Sequence, residues 1–144
     1  MTNVTVIPDI TTRVRVHGNN ALSFYAAEAI KAGAAVTIDD DGYAQNCNSG
    51  DAKIPIGVAD FGVTSSGDEV TVNTIGTVCY VANLDDTTAI GEGTTLVATS
   101  VDGVVAALAG GDDSDEYALG VSLTDITGGG FGLCLIRPYL STTA

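Results

Sequence analysis

The chain alternates short apolar runs with polar, glycine-rich breaks, and no run is long enough for an ordinary amphipathic helix. Strands are expected near Leu22–Ala27, Ala35–Ile38, Tyr43–Asn46, Ile54–Phe61, Glu69–Asn73 and Gly76–Ala82. Further strands are expected near Thr95–Thr99, Val104–Leu108, Tyr117–Leu123 and Phe131–Ile136. Turn signals stand between them: Asp40-Asp41-Gly42, Ser66-Gly67-Asp68, Ile75-Gly76 and Asp102-Gly103. Asp-Gly suits a tight hairpin because Asp, and above all Gly, tolerates positive φ. Only Tyr25–Lys31, on its alanine content, could form a turn or two of helix. The first residues read differently. From Asn3 to Val16 polar and apolar residues alternate as in an extended strand, and Pro8 interrupts them, which suits an edge or an arm better than a central strand. Two readings stay open for this segment: an arm that reaches a neighbouring subunit, or the first edge strand of the domain's own sheet.

The pattern repeats with a period of about 60 residues. Ala29-Ile30-Lys31-Ala32-Gly33 leads to Val36, then Asp41-Gly42, then Ile56-Gly57-Val58. Ala89-Ile90-Gly91-Glu92-Gly93 leads to Leu96, then Asp102-Gly103, then Leu119-Gly120-Val121. An apolar strand, Gly76–Val81, precedes the second copy, and a matching one, Gly130–Ile136, follows it. The expected organisation is an N-terminal extended arm, residues 1–20, and an all-β domain, residues 21–144. Two similar halves, about 21–82 and 83–140, would make up that domain as a compact barrel or sandwich. Pairing two half-units is a way to bury apolar faces and remove open sheet edges.

Length and composition fit one domain with a core of its own. The chain has 144 residues, 45% of them hydrophobic, few aromatics and no Trp. Charge narrows the partners. Five Lys+Arg stand against eighteen Asp+Glu, a formal net charge of -13. Nucleic acid and anionic membrane surfaces both need a cationic footprint, so neither is an expected partner. The acid excess fits a saline habitat or simply an acidic, soluble surface. No cationic-then-apolar leader is seen at the N-terminus, and no apolar stretch approaches the ~20 residues of a membrane span.

Candidate chemistry is sparse. His17 is the single histidine, so a triad or a histidine-rich metal site would depend on that residue alone. Cys79 and Cys134 lie in apolar runs, where a free Cys behaves as a small hydrophobe, whereas Cys47 lies in a polar stretch. No Cys-x-x-Cys occurs. Gly128-Gly129-Gly130-Phe131-Gly132 lacks the Lys-Ser/Thr of a phosphate loop and reads as a turn between strands. The acidic runs could offer oxygen ligands to Ca²⁺ or Mg²⁺ through Asp39, Asp40 and Asp41 or through Asp112, Asp113 and Asp115. Neither has calcium-loop spacing, and solvated turns explain them better. No cofactor and no catalytic residue is expected.

The succession Ala29-Ile30-Lys31-Ala32-Gly33, Asp41-Gly42, Ile54-Pro55-Ile56-Gly57-Val58-Ala59, Gly67-Asp68-Glu69-Val70-Thr71-Val72 and Gly76-Thr77-Val78 resembles the head decoration (cement) proteins of tailed bacteriophages and related archaeal viruses. The likeness runs over Leu22–Val81 and extends to the second half through the repeat. It implies a β-tulip or β-clip domain and a non-enzymatic virion protein on the outer capsid surface. Its implied partners are the major capsid protein and sister copies in a homotrimer. The alternating N-terminal segment would then carry contacts through Thr5, Val6, Arg13, Arg15 and Val16, since a segment with two of the five basic residues suits an acidic neighbour. Two other classes compete: another β-rich structural subunit (tail, fibre or surface layer), and a small ligand-binding β module.

Overall fold

Every strand expected from the hydrophobic pattern is present, and many of the glycines sit at the places where the strands turn. The computed structural model describes residues 15–18, 20–108 and 116–141. Eleven strands occur among them: β1 Arg15–His17, β2 Ala21–Tyr25, β3 Ala35–Ile38, β4 Ala44–Asn46, β5 Gly57–Ala59 and β6 Glu69–Asn73, then β7 Val78–Ala82, β8 Thr95–Ala98, β9 Val105–Ala107, β10 Glu116–Ser122 and β11 Phe131–Ser141. The described residues hold no α-helix and one short 3-10 turn, Ser49–Asp51, so the chain is all-β. Tyr25–Lys31 is not helical: its alanines are spent on an isolated bridge from Ala26 to Ala44 and on bends.

The strands form two antiparallel sheets, with orders β1-β7-β11-β10-β8-β9 and β2-β6-β5-β3-β4. Neither ladder closes into a barrel, and the arrangement is consistent with a sandwich. Set side by side, the orders expose the duplication. β2, β6, β5, β3 and β4 occupy the same places as β7, β11, β10, β8 and β9, and β1 is an addition outside β7. The turn before each copy's second strand is pinned alike: Ile30 exchanges backbone hydrogen bonds with Val63 (3.0 and 2.8 Å), and Ile90 does so with Ile126 (both 2.8 Å). By strand order the chain divides between β6 and β7, so Val78–Ala82 belongs with the second sheet rather than the first half.

Each repeat also places a glycine where two strands come closest. A Cβ on Gly57 would collide with the Asn73 carbonyl oxygen, and one on Gly120 with that of Leu135. Around Gly120 the register slips: Ala118 faces Tyr139 and Gly120 faces Ile136, so Arg137 and Pro138 stand opposite Leu119 alone. That bulge lets β11 run past Pro138 to Ser141, beyond the end expected at Ile136, because a bulge frees the position that lacks an N–H.

The core is correspondingly double. Cys79, Val81, Leu96, Leu119, Cys134 and Ile136 of the six-stranded sheet are buried together with Ala35, Cys47 and Val58 from the other repeat. Val36, Val70, Val72 and Ala59 form a second cluster with Ala26 and Ile30, and Phe24, Ile56, Val63 and Leu84 only partly bury themselves against it. Cys47 is a correction to the expectation of a polar loop position. Its side chain is wholly buried at the seam between the repeats, where its N–H donates to Ala35 O (2.9 Å) and its carbonyl accepts from Gly103 N (2.9 Å).

Candidate functional site

The described part of the N-terminal segment takes the second of its two readings. Arg15–His17 pairs antiparallel with β7, Arg15 opposite Cys79 and His17 opposite Val78, as the edge strand of the chain's own sheet. A buried carboxylate fixes it there: Asp60 Oδ1 accepts from the Arg15 backbone N–H (3.0 Å) and from Asn73 Nδ2 (3.1 Å). Val16 remains exposed on this edge. Thr5, Val6 and Arg13, named with Arg15 and Val16 as contact residues, lie outside the described residues.

The acidic run Asp39–Asp41 is a hairpin tip. Asp39 Oδ1 accepts from the backbone N–H groups of Asp41 (2.9 Å) and Tyr43 (2.8 Å), while Asp40 pairs with Lys53 Nζ at 3.0 Å. Its carboxylates therefore serve the turn. Among the described residues no three His, Cys, Asp or Glu side chains converge in a way that could hold a metal. Asp112, Asp113 and Asp115 lie outside the described residues. The Gly128–Gly132 run packs its turn against the backbone of Asp85 and Asp86, with Gly129 N–H donating to Asp85 O (3.2 Å). The Asp85 carboxyl is itself held below its ordinary range, chiefly by the Thr87 N–H that it accepts.

The thiols offer no nucleophile. Burial pushes Cys47 and Cys134 up to about 12, and Cys79 well above its ordinary value, so all three stay protonated at neutral pH. Cys79 and Cys134 face each other across β7 and β11 as free buried thiols.

The surface feature that stands out was not expected from sequence. Leu22, Phe24, Ile38, Ile54, Pro55, Ile56, Thr74, Ile75 and Pro138 line an open, apolar groove beside β2. Leu22 is 56% exposed and Ile75 58%. Among the described residues β2 is an outer strand of its ladder, paired with β6 on one side and touched on the other at its end, where Ala26 bridges Ala44 of β4 and the Ala27 N–H donates to Ala44 O (2.8 Å). The Thr74 N–H donates to Asn20 O (2.6 Å) and the Ala26 N–H to Asp68 O (2.7 Å), so the even-numbered residues of β2 point their backbone groups at β6. Ala21, Ser23 and Tyr25 consequently turn theirs outward. The exposed apolar side chains here form a patch of the kind that mediates contacts between proteins. Periodicity could have marked Leu22, Ile54 and Ile75 only as core residues, because their exposure is invisible in the local pattern.

No known protein-family model matches this chain, and no curated protein matches its sequence. Among solved structures it is similar to the N base of the head fiber gp8.5 of bacteriophage phi29, with a TM-score of 0.58 and 20% identity. The match covers 81% of this chain and 92% of that one. At this identity the likeness establishes a shared fold, and the shared fold is one seen in a phage head fiber.

Proposed function

We propose that this chain is a structural protein of a virus particle, carried on the head, that decorates the outer capsid surface by binding the major capsid protein. The observation that carries the reading is the fold shared with a phage head fiber base over most of both chains. Three other features support it. Burial keeps the three thiols protonated at neutral pH. The net charge of -13 suits a protein that stays clear of packaged nucleic acid. The exposed apolar groove beside β2 suits a protein whose work is assembly. Self-association as a trimer belongs to the same proposal.

The test is a reconstruction of purified virions combined with mass spectrometry of the same particles. Density for this fold over junctions between capsid subunits is the expected result. The fiber base in the similar structure favours a second reading, in which the same fold forms the foot of a projecting fiber; density at the root of a spike would select it. Absence of the chain from the particles would overturn both.

A further inference from the structure

The seam between the repeats joins unlike faces. In the first repeat Ala35, Val58 and Asn73 stand side by side across β3, β5 and β6. All three are completely buried, and Ala35 and Val58 share one core cluster with Leu96, Leu119 and Cys134 of the second sheet. The same register in the second repeat sets Thr95, Val121 and Leu135 side by side across β8, β10 and β11. Side chains alternate along a strand, so these three point away from the seam, opposite to buried Leu96 and Cys134. The other face shows the same mismatch. Cys79, paired with Cys134, is completely buried at the seam, while its counterpart Leu22, paired with Val72, is 56% exposed in the apolar groove. One surface of each kind is thus used inside the chain, and one of each is free. We infer that the free surfaces join between molecules: the face of the second repeat that carries Thr95, Val121 and Leu135 seats in the groove of a second copy of this chain, repeating the internal seam.

The chemistry of both surfaces favours this occupant. Val121, Leu133 and Leu135 are aliphatic, yet they lie half-buried on an outer face, where a strand bathed in water carries polar residues. Their counterparts on the face already used in the seam are Val58, Thr71 and Asn73, so the free face is the more apolar of the two. Charge points the same way. No residue lining the groove ionises, and neither do Thr95, Val121, Leu133 and Leu135. In a chain with a net charge of -13, two copies meet with least repulsion where both surfaces are neutral. Geometry excludes the chain's own face. Within one subunit the groove lies on the side of the first sheet away from Ala35 and Val58, and Thr95 and Val121 lie on the side of the second sheet away from Leu96. The two sheets stand between them, so only another molecule brings the pair together. Each copy gives one face and receives on a different one. Such head-to-tail contacts close into a ring when their rotation closes, in keeping with a trimer.

Two variants separate the giving and receiving surfaces. Ile75→Glu puts a charge into the groove at a position 58% exposed, and Thr95→Glu puts one on the half-buried outer face. Light scattering on the free full-length protein is run at about 1 M salt, where charges act over only about 3 Å. It is expected to show an oligomer. Each variant alone is expected to be monomeric with an unchanged circular dichroism spectrum, because burying the new charge stays costly when salt screens the rest. Mixing the two is expected to give a one-to-one complex, since the first keeps its outer face and the second its groove. A monomeric full-length protein overturns the proposal, as do variants that keep the oligomer, or monomeric variants that ignore each other. Should Thr95→Glu fail to fold, a groove variant decides alone, Leu22→Glu replacing Ile75→Glu if that one fails. Added in excess to the unaltered protein, it is expected to break the oligomer into capped pairs, since its intact outer face still fills an unaltered groove. An oligomer that ignores it, as a groove-to-groove dimer does, overturns the proposal. The inference does not rest on the virion reading. The experiment uses no particles, so it can fail while the chain is still found on virions, and the reverse.

Discussion

The two repeats share one strand order and differ in what covers them. The six-stranded sheet has its inner face completed by Ala35, Cys47 and Val58 from the other repeat and its outer edge closed by β1. The five-stranded sheet has the same five strands, yet its cluster ends in half-buried Phe24 and Ile56, and the groove beside its β2 is exposed among the described residues. The first repeat covers the second, while among the described residues the groove beside β2 in the first repeat stays exposed. The difference teaches where stability and assembly are divided. The second repeat and the seam are packed within the subunit, while the first repeat carries an exposed apolar groove among the described residues.

The sharpest test of the shared part is at Gly57 and Gly120. Each sits where a Cβ would run into a carbonyl of the neighbouring strand, Asn73 in one repeat and Leu135 in the other. Alanine at either must push two hydrogen-bonded strands apart, so each single variant is expected to lose at least about 3 kcal/mol or to fail to fold. Urea denaturation measures this. If Gly57→Ala is harmless while Gly120→Ala is not, the repeats are alike in topology but not in packing.

Alkaline pH separates the repeats next. Cys79 and Cys134 lie in the second sheet and Cys47 at the seam, while the counterparts of Cys79 and Cys134 in the first sheet are Leu22 and Val72. Thiols of the unfolded chain ionise near 9.0, whereas Cys47 and Cys134 in the fold are pushed up to about 12. Between those values the unfolded state holds fewer protons than the native one, so it gains as pH rises. The stability these thiols contribute is intact below about pH 9 and falls away toward pH 12. The melting temperature should drop across that window, and Cys134→Val, which installs the side chain found at Val72, should lessen the drop. Equal slopes for wild type and variant would show that tyrosines and lysines govern the alkaline transition. At neutral pH a thiol reagent should find no cysteine until denaturant is added.

The strands were legible in sequence because each is brief, alternates, and ends at glycine; β3 and β6 fall where the pattern set them. The duplication was legible because glycine and aliphatic positions recur in order, and Gly57 and Gly120 turn out to recur for one steric reason. What was hidden depends on distant chain. Pro138 argued for an end to β11, and only the register slip opposite Leu119 shows why the strand continues. Cys47 looked polar by its neighbours, yet Gly103, far along the chain, docks over it. The place of β7 was hidden too, since it reads as the close of one copy and is paired in the sheet of the next. The groove was least legible of all, since an apolar strand residue looks the same in sequence whether or not another strand covers it.

Asp60 sharpens the comparison at β1, the strand that only the second repeat possesses. Its Oδ1 accepts from Arg15 N–H and Asn73 Nδ2 in a buried setting, so one carboxylate ties the added strand to the first repeat. Asp60→Ala leaves those donors without this acceptor and is expected to destabilise by about 1–3 kcal/mol. The loss should appear first at β1. Amide exchange of Arg15 should accelerate more than that of Val72, which stays inside its ladder. Equal acceleration at both would mean that β1 and the first repeat open as one unit.

The smallest effects distinguish the two Asp-Gly hairpins, which are alike in sequence and differ in surroundings. The tip between β3 and β4 projects into water: a Cβ on Gly42 would meet nothing within 4 Å, and Asp40, 98% exposed, has an ion pair to Lys53. The tip between β8 and β9 is seated on the first repeat. Asn48 Nδ2 donates to Asp102 Oδ1 (2.9 Å) and Ser100 O (3.0 Å), Ser49 N–H donates to Thr99 O (2.8 Å), and a Cβ on Gly103 would press on Asn46 Oδ1 at 2.8 Å. Alanine at Gly42 should then meet only the strain of a positive φ, about 1 kcal/mol, while alanine at Gly103 adds a clash at the seam. Asp40→Asn gives up an exposed ion pair and should change stability by less than about 0.5 kcal/mol. Asp102→Ala removes the acceptor of a bond that crosses between repeats, and its larger effect should vanish in an Asn48→Ala background. A double-mutant cycle on Asn48 and Asp102 measures that coupling. A coupling indistinguishable from zero would mean that the seam is held by its backbone bonds and buried Cys47, with the hairpin tips equivalent after all.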